Sequence, residues 1–136
     1  MNNIIKEDLD IICGSDLDWE KFKNSTVLIS GASGMLASYM VYTLMYLNEM
    51  HPDLNIKVIA LCLNTGGAKK RFRDFLDNPL FTIMPADVTE KININGSVDY
   101  IIHAASLASS QYYGVNPVGV LSPNVFGTKN LLELAR

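Results

Sequence analysis

The 136 residues suffice for one domain, and a 49% hydrophobic, 18% charged composition is that of a packed globular core, not of a disordered segment. A formal net charge of -3 and a pI near 5.2 supply no broad basic field, which argues against nucleic-acid and anionic-membrane partners and toward small molecules or proteins. Cys13 and Cys62 lie far apart without metal-ligand spacing and read as reduced, partly buried thiols.

In chain order, residues 1–24 read as a helical extension. Ile5, Leu9 and Ile12 share one face of a helix over 2–13 that stops at Gly14, and Trp19 and Phe22 share a face of a second short helix over 16–23. This extension is expected to pack on the body. Lys6, Glu7, Asp8 and Asp10 leave no apolar signal core at the N-terminus, so the cytoplasm is the default location.

From residue 25 onward the pattern alternates: strand 26–30, helix 34–48, strand 57–63, helix 68–76, strands 80–84 and 99–104, helix 117–135. Apolar strands alternating with helices predict a parallel sheet covered on both faces, a Rossmann-like doubly wound α/β fold of which residues 25–136 are the N-terminal part. Right-handed crossovers give the strand order 3-2-1-4, with the switch point between strands 1 and 4 and the ligand crevice over their carboxyl ends. The uncharged stretch from Asn24 to Asn48 invites a membrane span, but the glycine turn splits it into pieces shorter than the roughly 20 residues a span needs.

Thr26 to Ala37 is the most informative run: an apolar strand, a Gly31-x-x-Gly34-x-x-Ala37 turn, then a long helix. Glycines permit a tight turn and close approach of backbone to phosphates, and the helix N-terminus adds unpaired N–H groups and positive potential. That context points to a dinucleotide pyrophosphate. The P-loop alternative lacks Gly-Lys-Ser/Thr.

At the end of strand 2, where a carboxylate clamps the adenosine ribose in many NAD enzymes, the chain reads Leu61-Cys62-Leu63-Asn64, and only the Asn64 amide can hydrogen-bond a hydroxyl there. Lys69, Lys70, Arg71 and Arg73 follow, either as a site for a 2′-phosphate or as the solvated face of a helix that buries Phe72 and Leu76. Asp87-Val88-Thr89 is either an adenine contact or a helix cap.

His103 ends strand 4 as a hydrogen-bonded strand-end residue. With His51 far away in sequence and no clustered thiols or carboxylates, no metal site is expected. Ser106, Ser109 and Ser110 lack a nucleophile elbow. Tyr112 and Tyr113 stand at the crevice mouth, as an aromatic lid or as substrate contacts. Asn116-Pro117 starts the last helix, and Pro123 should kink it near 119–124, leaving Asn124 to face the crevice or to satisfy backbone.

Taken together, Gly31 to Ala37, Asp87-Val88, His103-Ala104-Ala105-Ser106 and Asn124 to Leu131 resemble the extended short-chain dehydrogenase/reductase superfamily, in its NAD-dependent epimerase/dehydratase family. The stretch from His103 to Tyr113, with Asn116-Pro117-Val118, is most similar to UDP-glucuronate decarboxylases and the related dTDP-glucose 4,6-dehydratases. The resemblance implies Gly31, Ser33, Gly34, Met35 and Leu36 around the pyrophosphate and Asp87 and Val88 at the adenine. It also implies Ala104, Ala105 and Ser106 beside the nicotinamide-side ribose with Asn124 nearby, and Ser109 and Tyr113 facing the sugar.

Three positions depart from the family pattern: Ala37 stands for a glycine, Met35 for an aromatic residue and Cys62 for the ribose-binding aspartate. The cofactor implied is NAD, with NADP left open.

The resemblance further implies a nucleotide-sugar substrate, a 4-keto sugar intermediate and a homo-oligomer. Such enzymes act through Tyr-x-x-x-Lys, and none of Tyr39, Tyr42, Tyr46, Tyr100, Tyr112 and Tyr113 has a lysine at that offset. The expectation is therefore a cofactor-binding portion that ends before the catalytic half and is inactive alone. The contrasting reading is a non-catalytic dinucleotide-binding or regulatory module.

Overall fold

The computed structural model describes residues 2–136. Its sheet has four parallel strands, β1 (Thr26–Ser30), β2 (Lys57–Cys62), β3 (Phe81–Pro85) and β4 (Tyr100–His103), in the order β3-β2-β1-β4. This is the predicted order. β1 lies at the centre with Val27 registered against Val58 on one side and Tyr100 on the other. Its Val-Leu-Ile run has no polar alternation because both faces are covered.

Helix α1 (Asn3–Cys13) starts on Asn2, whose side chain accepts the Ile4 N–H at 2.9 Å, and ends at Gly14. The extension packs on the body as expected: Leu9 is fully buried in the same cluster as Val27 and Val41, with Trp19 and Phe22 against it. The second extension element is only a 3-10 turn, Trp19–Phe22. No side chain caps it, and Asn24, at a φ of 57°, turns the chain into β1 before a helix can develop.

Helix α2 (Met35–Met50) is buried on nearly every side between Ala37 and Asn48, which accounts for the absence of charge before the exposed Glu49. Its polar side chains are spent internally: Thr43 donates to the Tyr39 carbonyl, and the Asn48 amide exchanges hydrogen bonds with both backbone groups of Ile56 at 2.8 and 2.9 Å. Among the described residues no helix is long and apolar enough to cross a membrane.

Two further helices differ from the sequence expectation. Helix α3 (Thr65–Arg71) starts three residues before position 68, because the Asn64 side chain accepts the Gly67 N–H and nucleates a first turn over two glycines. It gives way to a 3-10 turn at Arg73–Phe75.

The single helix predicted over 117–135 is three pieces: α4 (Pro117–Ser122), a π-helical turn (Pro123–Gly127) and α5 (Thr128–Leu134). Pro123 brings no N–H, and the Asn124 side chain donates to the Val120 carbonyl at 2.7 Å, which stabilises the break.

Candidate functional site

The carboxyl ends of the strands surround a cleft of about 580 Å³, within the range typical of small-molecule sites. Its floor is the glycine turn. Gly31 has a φ of 63°, and a Cβ there would lie 2.7 Å from Ala105 Cα and 2.8 Å from the Ala104 carbonyl oxygen. Both the left-handed backbone and the contact with the β4 exit therefore require glycine.

The Gly34 N–H closes the turn onto the Gly31 carbonyl at 2.8 Å, and Gly34 caps α2 without a side chain. The first-turn N–H groups of α2 thus have no side-chain acceptor, an arrangement that favours an anion.

Of the residues assigned to the pyrophosphate, Gly31, Ser33 and Gly34 line the cleft. Met35 and Leu36 do not; their side chains are exposed, and what they offer is the backbone of the first helical turn.

At the end of β2 the lining residues are Leu63 and Asn64, while Cys62 is buried on the α2 side. Asn64 Oδ1 is held by the Gly67 N–H at 3.0 Å, so the amide NH₂ is what it can offer a ligand. Burial pushes the Cys62 thiol above its ordinary range, offset in part by the N–H and hydroxyl of Ser33 and the N–H of Ala32. The basic residues of α3 stay outside the lining, and Arg71 instead donates to Ser38 Oγ at 3.2 Å.

Asp87 caps no helix. Its Oδ1 accepts the Thr89 N–H at 2.9 Å and the Thr89 hydroxyl at 2.8 Å, a local turn that sets Asp87, Val88 and Thr89 along the cleft. The Val88 side chain reaches inward against Gly127, where a Cβ would come within 2.9 Å of Val88 Cγ2. This contact brings the π-helical turn close to the sheet.

The opposite wall is Ala104, Ala105, Ser106 and Leu107, the exit of β4. His103 is hydrogen-bonded at both ring nitrogens, with Nδ1 2.7 Å from Ser30 Oγ and Nε2 3.0 Å from the Pro123 carbonyl oxygen.

Asn124 does not line the cleft, because its amide donates to Ser106 Oγ at 3.1 Å and to Val120; Gly119, Ser122 and Pro123 line it in its place. Ser109 and Tyr113 are exposed and outside the lining, with the Tyr113 hydroxyl donating to the Ala108 carbonyl at 3.3 Å. Sequence reasoning missed Leu61, Leu63, Ala86, Leu107, Gly119 and Ser122. The Pro123 break was the available signal for the last two.

Residues 27–136 match the profile of the NAD dependent epimerase/dehydratase family. Over 113 residues the chain is 37% identical to UDP-glucuronic acid decarboxylase 3 of Arabidopsis thaliana, covering 83% of this chain and 31% of that protein. Over 110 residues it is 32% identical to UDP-glucuronic acid decarboxylase 1 of Danio rerio, covering 81% of this chain and 24% of that protein. The crystal structure of Pen from Bacillus thuringiensis superposes with a TM-score of 0.68 at 19% identity, over 84% of this chain and 35% of that one, a likeness of fold. The chain spans less than a third of the length of these two curated relatives.

Proposed function

The chain belongs to the NAD dependent epimerase/dehydratase family, and from that membership we propose that its cleft holds the dinucleotide, NAD or NADP, of an enzyme that remodels a nucleotide sugar. The observation that carries this reading is the meeting, in one cleft, of the positive-φ glycine turn, the uncapped start of α2 and the β4 exit loop. Gly31, Ser33 and Gly34 with the first-turn N–H groups at Met35 and Leu36 are assigned to the pyrophosphate. The Asn64 NH₂ is assigned to the adenosine ribose, Asp87 and Val88 to the adenine, and Ala104, Ala105 and Ser106, braced by Asn124, to the second ribose. Ser109 and Tyr113 are assigned to the sugar.

A dinucleotide fits these residues: the floor admits no Cβ, and Leu63 and Leu107 add apolar walls. When bound, the cofactor supplies hydride acceptance from a sugar carbon. This chain's residues bind and orient it. The relatives' names point to a UDP-sugar acid as the substrate class of the whole protein, and a 4-keto sugar intermediate is part of the same proposal. Without Tyr-x-x-x-Lys, these residues alone turn over no sugar.

Titration of NAD and NADP into the 136-residue chain, followed by amide NMR shifts, tests the proposal. Weak binding is expected, with shifts concentrated at Gly31 to Leu36, Asn64, Asp87-Val88 and Ala104 to Ser106. Asn64→Asp should favour NAD over NADP by about tenfold, because a carboxylate there accepts from a ribose hydroxyl and repels a 2′-phosphate. A folded chain whose amides do not respond to either dinucleotide, or respond elsewhere, overturns it.

A further inference from the structure

Ser30 is the last residue of β1, fully buried, and opposite His103 in register. Its hydroxyl lies 2.7 Å from His103 Nδ1 and accepts the N–H groups of Ala104 at 3.1 Å and Ala105 at 3.3 Å. On the far side of the ring, His103 Nε2 is 3.0 Å from the Pro123 carbonyl oxygen.

The direction of these bonds follows from donor and acceptor capacity. A carbonyl only accepts, so Nε2 carries the hydrogen, and in a neutral ring Nδ1 then accepts the Ser30 hydroxyl hydrogen. The two lone pairs of Ser30 Oγ are taken by the two alanine N–H groups, so every position on the hydroxyl is used. With the other neutral tautomer or a charged ring, Nδ1 would be a third donor aimed at this oxygen, and the Ser30 hydrogen would lose its acceptor.

The three pieces that this relay joins are the walls and floor of the cleft. Ser30 precedes Gly31, Ala104 and Ala105 form the β4 exit, and Pro123 starts the π-helical turn whose Asn124 holds Ser106. The exit loop lies so close to Gly31 that a single methyl group would collide with it.

We infer that Ser30 and His103 are positioning residues: the Ser30–His103 relay holds the Ala104–Ser106 backbone and the π-helical turn against the glycine turn and so sets the shape of the cleft. What the cleft then holds rests on the dinucleotide reading above; the relay itself is testable without it.

The test uses the 136-residue chain with Ser30→Ala, Ser30→Thr, His103→Asn and His103→Gln. Ring ¹⁵N shifts report the tautomer of His103, hydrogen exchange reports the Ala104 and Ala105 amides, and NAD titration reports the cleft. Expected are the Nε2–H tautomer in the wild type and, in Ser30→Ala, at least about tenfold faster exchange at Ala105, with NAD affinity about tenfold weaker. Ala104 should change less, because its N–H also reaches the Ser30 carbonyl at 3.2 Å. Exchange within α2 should be unchanged, which separates loop release from general loss of stability.

Ser30→Thr, which keeps the hydroxyl, should restore both readouts. His103→Asn keeps an acceptor toward Ser30, and His103→Gln a donor toward Pro123, so each should rescue only its own side. An Nδ1–H tautomer, or Ser30→Ala with exchange at Ala105 unchanged, overturns the inference. Faster exchange at Ala105 in a chain whose wild type ignores NAD supports the relay and removes the dinucleotide reading.

Discussion

The two faces of the sheet are built by different means. On the α2 face, Val27, Ile29, Val58 and Ala60 are buried under Val41, Met45 and Leu47, and an aromatic tier joins Tyr42, Phe72 and Phe81 with ring centroids 5.6 and 5.3 Å apart. On the α5 face the buried set among the described residues is Leu28, Leu61, Val88, Ile92 and Leu131, and Val118, Leu121, Val125 and Phe126 along α4 and the π-helical turn are exposed. The glycine-turn side of the cleft is therefore backed by the packed face through β1 and α2, whereas the β4 wall, with less packing behind it, is held by hydrogen bonds at Ser30, His103 and Asn124. A site can thus have one wall fixed by volume and another by polar geometry, and the two should fail differently.

The largest expected effect lies on the packed face. Phe72→Ala removes a fully buried ring that contacts Tyr42 and Phe81, and should lower unfolding stability by about 3–5 kcal/mol in urea titration. Leu132→Ala, on a side chain 65% exposed beyond β4, should stay within about 0.5 kcal/mol. Similar losses from both would erase the distinction between the faces.

Next in size is the junction of the two walls. Gly31→Ala puts a methyl group 2.7 Å from Ala105 Cα at a φ of 63°, and left-handed strain plus overpacking should together cost about 2–4 kcal/mol. The NAD-induced amide shifts should vanish with it. A near-neutral Gly31→Ala would mean that the β4 exit can withdraw, which would make that wall softer than its hydrogen bonds indicate.

The packed face was also the more legible one. Alternating apolar strands and helices sufficed for the order β3-β2-β1-β4, and Gly31-x-x-Gly34 located the turn, because hydrophobic burial and φ restrictions leave direct marks on residue choice. What escaped depends on where a single polar side chain turns. The two glycines after Thr65 look like a loop, yet the Asn64 oxygen reaching Gly67 starts α3 there. Asp87 has the chemistry of a helix cap and makes a local turn with Thr89 instead. Pro123 announced a break, but not that Asn124 would turn its amide to Val120 and Ser106, which leaves Ser122 and Gly119 to line the cleft. Strand periodicity alone explains why Cys62 turns away from the cleft while Leu63 lines it.

The smallest effect concerns a polar clamp on the packed side, where α1 is fastened to α2. The Tyr46 hydroxyl donates to Asp10 Oδ1 at 2.5 Å, and Lys6 Nζ is 3.1 Å from Asp10 Oδ2. The Tyr46 hydrogen bond first, then that of Lys6, holds the Asp10 carboxyl below its ordinary value of 3.8. A carboxyl depressed in the folded state stabilises it above that ordinary value, and the contribution is lost as the pH falls from there through the folded value. Tyr46→Phe removes the larger cause, so thermal unfolding should show a smaller drop between neutral pH and the acid side of 3.8 than the wild type shows. Because both partners are half-exposed, the Lys6 share should fade in high salt while the Tyr46 share persists. An unchanged acid response in Tyr46→Phe would mean that the Tyr46–Asp10 bond adds nothing measurable and that α1 is held by buried Leu9, with Ile5 and Ile12 beside it, and by the Tyr39 hydroxyl donating to Asp8 at 2.7 Å.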